Sequence, residues 1–179
     1  MLHNLFFAVR PDAPTAEDIT DLTDWQRRRH GLSGRPTTRG RQHISLNYLG
    51  CAFDPPRRLI ARAEEVASTV AMRPFVVALD RVVSFQNNAG LRPRVLVGED
   101  GVIGVHALHG VIHQGLADAF VVRRAVPALN PHLTLLRDRL TAPEDPITPV
   151  RWWVREFVLI DSLYGESRHE LLGRWPLLG

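Results

Sequence analysis

The sequence predicts an α+β fold: two pseudo-symmetric lobes of mainly antiparallel sheet, with helices outside and an active-site cleft between them. Helical segments are interspersed with strands joined by short turns, which suits antiparallel pairing. Two similar short stretches, His43-Ile44-Ser45-Leu46 and His132-Leu133-Thr134-Leu135, each follow a helix and open a strand, which suggests an internal duplication. At 179 residues the chain can be one large domain or two small lobes sharing a cleft, and residues 1–179 are read as one bilobal unit.

Taken in order, Leu5 to Val9 reads as a buried strand ended by Arg10-Pro11. Pro14-Thr15 opens a helix to about His30, with Thr15 as cap and Glu17 and Asp18 in the first turn. Ile19, Leu22 and Trp25 supply its apolar face. Gly31 to Gly40 is a loop carrying Arg35 and Arg39, with Arg41 just beyond. His43 to Leu49 is a strand stopped at Gly50. Asp54-Pro55-Pro56 marks a helix entrance, and Leu59 to Val70 continues it. Pro74 to Phe85 and Pro93 to Val97 are strands around a turn at Gln86 to Gly90. Gly98 to Gly101 turns into a helix over Val102 to Phe120, with Val105, Leu108, Ile112, Leu116 and Ala119 three or four apart. Val126 to Pro131 is a loop before the strand His132 to Leu136. Thr141 to Pro149, with three prolines, reads as a surface loop. Arg151 to Ile160 and His169 to Trp175 read as two closing strands around a turn at Gly165.

Strand alternation gives the two repeated stretches their chemistry. Residues two apart share a face, so His43 with Ser45, and His132 with Thr134, point away from the core side of Ile44, Leu46, Leu133 and Leu135. Two such strands side by side would floor a cleft with two imidazoles and two hydroxyls. A single His-x-Ser/Thr tripeptide carries no weight. Two copies in matching apolar contexts do. An imidazole can act as base or acid near neutral pH, and one on each side of a phosphorus atom can take a proton and give one.

Composition bounds the function classes. No run approaches the roughly 18 apolar residues of a membrane span. The first ten residues lack the basic start and long apolar stretch of a signal peptide, so a cytoplasmic address is expected. The lone cysteine, Cys51, excludes an internal disulfide and multi-cysteine zinc frameworks. Net charge is +3, and every basic residue is Arg, whose planar fork suits phosphate. There is no phosphate-binding loop with Lys, no His-Glu-x-x-His and no Gly-x-Ser-x-Gly.

The chain resembles the two-histidine (2H) phosphoesterases, and within them the bacterial RNA 2′,3′-cyclic phosphodiesterases, also called 2′-5′ RNA ligases. The resemblance runs through Leu5-Phe6-Phe7-Ala8-Val9, through His43-Ile44-Ser45-Leu46 ending in Tyr48-Leu49-Gly50, and through Asn130-Pro131-His132-Leu133-Thr134-Leu135-Leu136-Arg137-Asp138. It continues in Phe157 to Ile160 and Arg174 to Leu177. Ser45 departs from the commoner Thr but keeps the hydroxyl. The middle third, Arg73 to Ala125, carries no signature of the family. The resemblance implies His43 as proton donor, His132 as acceptor, and Ser45, Thr134 and Arg137 as holders of the phosphate oxygens. It implies no metal and no cofactor, an RNA with a 2′,3′-cyclic phosphate end as partner, and a monomer without an obligatory protein partner. Strand parity conflicts with Arg137: five residues from His132, it falls on the opposite face unless a bulge intervenes. Arg41 has the right parity with His43.

Other candidates compete. Phe6, Phe7, Trp152 and Trp153 could stack a base, although core packing suits all four. His106, His109 and His113 lie on one helix face, which can bind a metal, yet nothing else in the helix completes a set, so a polar face is the expectation. His3, His30 and His169 have no partner in sequence. A small cyclic nucleotide as substrate, or a non-catalytic RNA-end binding module, are the rival readings.

Overall fold

The computed structural model describes residues 1–179 except 56, 87–89, 164, 167 and 179. Part of the expected turn at Gln86–Gly90 and Pro56 of the expected helix entrance lie outside the described residues.

Strand β1 (His3–Val9) leads into helix α1 (Ala13–His30), then β2 (Ile44–Ala52), α2 (Arg57–Ser68), the hairpin β3 (Phe75–Ser84) and β4 (Arg92–Val97), and α3 (Ile103–Asp118). Four strands close the chain: β5 (His132–Asp138), β6 (Asp145–Val154), β7 (Glu156–Leu163) and β8 (Arg168–Pro176). The expected α+β architecture is present. All eight strands join one antiparallel sheet in the order β6-β3-β4-β5-β2-β1-β7-β8. The central β5–β2 junction is the thinnest, with one registered pair, Ile44 with Leu133. Two four-stranded halves therefore meet immediately beside His43 and His132.

The sheet is strongly curved. β6 is one edge and β7 is next to the other, yet only Arg155 separates them in sequence. Two peptide units span at most about 7.6 Å, so the far ends of the order are drawn together. One core runs under both halves, including Phe7, Ile19, Ile44, Leu108, Ile112, Leu133, Leu135 and Phe157. Phe7, Phe157 and Trp175 form its aromatic centre, with ring centroids 5.6 to 5.9 Å apart.

Several sequence expectations are corrected. Helix α1 is capped by Asp12, which accepts from the Thr15 amide, rather than by Thr15. Its buried face is Thr15, Ala16, Ile19, Thr23 and Gln26, and Trp25 is exposed. Polar Thr23 and Gln26 can face inward because each finds a partner, Thr23 on the Ile19 carbonyl and Gln26 on Arg94 and Asp145. β2 runs through Gly50 to Ala52, since glycine permits the backbone angle of +143° found there. The proline-rich stretch expected as a loop becomes strand from Asp145 onward. β6 is an edge strand, where prolines need not donate to a second neighbour. The expected single strand Arg151–Ile160 breaks at Arg155 into β6 and β7.

A buried ionic network locks α1 to the sheet. Arg94 is 1% exposed and donates to Gln26, to the Ala142 and Pro143 carbonyls and to Asp145 at 3.2 Å. His30 meets the same carboxylate at 2.5 Å. Burial alone would raise the Asp145 pKa, but hydrogen bonds from His30 and Gln26 and the Arg94 charge hold it below the usual carboxylate range.

Candidate active site

The β2–β5 junction sets the geometry. With Ile44 opposite Leu133, the same register carried one residue each way puts His43 beside Thr134 and Ser45 beside His132. The apolar members of both motifs are buried, Ile44 and Leu133 completely. All four polar members line one pocket of about 640 Å³, together with Arg35, Thr37, Thr38, Arg41, Arg137 and Glu166.

Both imidazoles are held in the same way. The Nδ1–H of His43 donates to the Arg41 carbonyl at 2.7 Å, and that of His132 to the Asn130 carbonyl at 2.8 Å. A carbonyl can only accept, so Nδ1 carries the proton in each ring. Nε2 is left in each case to exchange a proton. Each ring also rests on a phenylalanine: Phe6 lies 5.1 Å from His43 and Phe85 lies 5.0 Å edge-on to His132, centroid to centroid. His169 of β8 stands edge-on to His43 at 5.1 Å. Burial first, then the neighbouring His132, Arg41 and Arg10 charges, lower the His43 pKa to about 4 against the pull of its backbone hydrogen bond. Burial and the His43 charge bring His169 to about 3.

Arg137 reaches the pocket through a bulge. In the β4–β5 ladder Arg94 pairs with Leu136 and Val95 with Thr134, so Leu135 is the extra residue. Leu135 and Leu136 are consequently both buried, the alternation resets, and Arg137 emerges on the histidine side. The parity conflict in the sequence is resolved here. Arg41, Arg137 and Arg35 crowd together: burial first, then the charges of Arg137 and Arg35, lower the Arg41 pKa. Glu166, a carboxylate on the same wall, is paired with Arg168. The pocket is therefore electropositive and suited to an anion.

Its outer wall is the loop after α1. Asp138, 3% exposed, accepts from the amides of Ser33 (2.7 Å), Gly34 (2.5 Å) and Leu140 (2.9 Å). Burial would raise its pKa, but these amide hydrogen bonds bring it below the usual range. A Cβ on Gly34 would lie 2.2 Å from the Arg137 carbonyl oxygen, so only glycine fits there. The Thr37 amide donates to the Leu135 carbonyl at 2.7 Å. Loop, bulge and Arg137 are thus tied into one unit.

The remaining candidates separate. Phe7 and Trp152 are core, Phe6 supports His43, and Trp153 is exposed outside the pocket. His109 and His113 are buried rather than on a polar helix face, leaving only His106 exposed. Among the described residues no group of three or more His, Cys, Asp or Glu is placed to hold a metal. His3 pairs with Asp161 and His30 with Asp145. Sequence reasoning missed Phe85, His169 and Glu166. Nothing local marks them, since each is brought in by a strand end or a distant turn.

The fold, with a histidine from each half of the sheet in one pocket, matches a family of phosphoesterases. The profile of the 2′-5′ RNA ligase superfamily matches residues 11–166, and the chain belongs to that superfamily. E. coli LigT in its apo form is similar over 100% of this chain and 99% of its own, with a TM-score of 0.76 at 23% identity. A protein described as a phosphoesterase is similar over 99% of both chains (TM-score 0.77, 24% identity), and TT0787 of Thermus thermophilus over 98% of both (0.74, 21%). At these identities the likeness is one of fold. No curated protein matches the chain in sequence. No helix among the described residues is long and apolar enough to cross a membrane.

Proposed function

We propose that the chain is an RNA 2′,3′-cyclic 3′-phosphodiesterase. It opens the cyclic phosphate at an RNA 3′ end to a 2′-phosphate, without metal or cofactor, and acts as a monomer. The observation that carries this reading is the matched pair of imidazoles, each with Nδ1 committed to a backbone carbonyl and Nε2 left for the pocket. Water attacks phosphorus in line with the departing O3′. One histidine takes a proton from the water, the other gives one to O3′, and the products are a 2′-phosphate and a 3′-hydroxyl. With an RNA 5′-hydroxyl in place of water, the same displacement of O3′ makes a 2′-5′ linkage and frees the 3′-hydroxyl. Ser45, Thr134 and Arg137 hold the non-bridging oxygens, where charge builds in the transition state. E. coli LigT has been crystallised with 3′-AMP and with phosphate, which fits a nucleotide phosphate as the ligand class.

The family resemblance assigns the donor to His43 and the acceptor to His132. The lowered basicity of His43 favours the opposite polarity in the free enzyme. A diester with an activated phenolate leaving group separates the two, because it needs no general acid. The histidine whose alanine variant keeps its rate on that substrate is the donor.

The direct test is incubation with a cyclic-phosphate-ended oligonucleotide in EDTA, with the product resolved by its 2′-phosphate. Intact substrate at micromolar enzyme rejects the proposal, and tight binding without turnover identifies an RNA-end binding module. A mononucleotide turned over as well as the oligonucleotide would place the substrate among small cyclic nucleotides.

A further inference from the structure

A second cleft of about 660 Å³ backs onto the first. It is lined by Arg10, Arg39, Arg155 and Arg174 against two carboxylates, Asp12 and Glu156, with Trp153 on its wall. Asp12 is spent on the α1 cap, Glu156 is paired with Arg174 at 3.2 Å, and Arg39 is paired with Glu17 at 3.0 Å. Among the described residues Arg10 meets no carboxylate within hydrogen-bond distance and instead donates to the Gly40 carbonyl. Arg155 lies 5.6 Å over the Trp153 ring. Trp153 is 53% exposed, although its sequence neighbour Trp152 is 3% exposed and in the core. Two guanidiniums, Arg10 and Arg155, with no carboxylate partner among the described residues and beside an open indole, are what a single strand needs: charge for the backbone and a face for a base.

The two clefts share a wall. The 3-10 turn Arg39–Arg41 presents Arg39 and Gly40 to the second cleft and Arg41 to the catalytic pocket. Such a turn rises only about 2 Å per residue, so the clefts are neighbours. Arg10 is close enough to the catalytic side for its charge to be felt at both His43 and His169.

Resting on the phosphodiesterase reading, we propose that this cleft binds the single-stranded RNA just upstream of the cyclic end, stacking one base on Trp153 and holding backbone phosphates with Arg155 and Arg10. The cleft makes the enzyme prefer an oligonucleotide to a mononucleotide. It contributes to KM and not to the chemical step.

The test uses the whole 179-residue chain and the double variant Trp153→Ala with Arg155→Ala, both exposed and outside the catalytic pocket. Rates are measured on a 2′,3′-cyclic mononucleotide and on a cyclic-phosphate-ended pentanucleotide. Loss of one base stack predicts a rise of about tenfold in the pentanucleotide KM, with the mononucleotide unchanged. The log–log salt slope for the pentanucleotide becomes shallower by about 0.7 for the lost phosphate contact. Equal effects on both substrates, or none on either, overturn the inference. Polarisation binding of a fluorescein-labelled pentanucleotide ending in a 3′-phosphate decides it independently of turnover. Weaker binding by the variant supports it. Unchanged binding, or a blunt duplex bound as well as the single strand, overturns it. Failure of the wild-type protein to hydrolyse either substrate would instead remove the phosphodiesterase reading.

Discussion

Ile44 and Leu133 face each other across the middle of the sheet, each fully buried and each the residue after a pocket histidine. This one antiparallel pair joins two four-stranded halves and fixes the spacing of the two imidazoles. Truncating either leaves a cavity at that junction. Leu133→Ala should cost about 2 to 5 kcal/mol of stability. It should also lower kcat more than truncation of a comparable buried leucine away from the junction, such as Leu108→Ala. Urea unfolding beside kinetics checks this, and equal kcat losses in the two variants contradict it.

His43→Ala and His132→Ala should each lower kcat/KM on a cyclic-phosphate end by about 10²-fold or more, the usual scale for acid–base loss. The double variant should lose much less than the product of the two single losses, because the rings act as a unit. Full multiplicativity would show that they do not. The wild-type pH profile should be bell-shaped, its limbs belonging to the pair.

Arg137→Ala should raise KM about tenfold with a smaller change in kcat, matching a lost charged hydrogen bond to phosphate of roughly 1.5 kcal/mol. Arg137→Lys should recover part of the loss, since charge is kept and the fork is not. An unchanged KM in the alanine variant would return Arg137 to the role of an exposed strand-end residue.

His43 and His169 give stability a pH dependence above the carboxylate range. Burial is the first cause for both, holding His43 at about 4 and His169 at about 3, whereas an unfolded histidine titrates near about 6.5. The unfolded chain therefore binds more protons as pH falls, and stability declines from about 6.5 toward 4. The urea midpoint should be lower at about pH 5 than at about pH 7.5, and His169→Phe should shrink that difference. An equal drop in the variant would remove His169 from the account. Asp138 and Asp145, with folded values below the unfolded one, stabilise above about pH 4, and that contribution is lost as pH falls further.

Asp145→Ala leaves Arg94 buried without its charge partner and should cost about 3 to 5 kcal/mol. Arg94→Met combined with Asp145→Leu, which removes both charges, should cost clearly less. A double variant as unstable as the single one would mean that the network contributes through geometry rather than charge.

The sequence by itself determined the strands that carry the histidines, because two-residue alternation of polar and apolar side chains is written locally in Ile44, Leu46, Leu133 and Leu135. It also determined the two imidazoles, the two hydroxyls, and the need for a bulge if Arg137 was to join them. Only the tertiary structure decided where that bulge fell, since Leu135 is the residue left without a β4 partner, while its carbonyl accepts from the Thr37 amide. It likewise turned the proline-rich Asp145–Pro149 into strand, because an edge position relieves proline of its missing donor. His169 and Phe85 came to the histidines from strands distant in the chain. Their places arise from contacts that no local pattern encodes, which is why alternation exposed the histidine pair and not its supports.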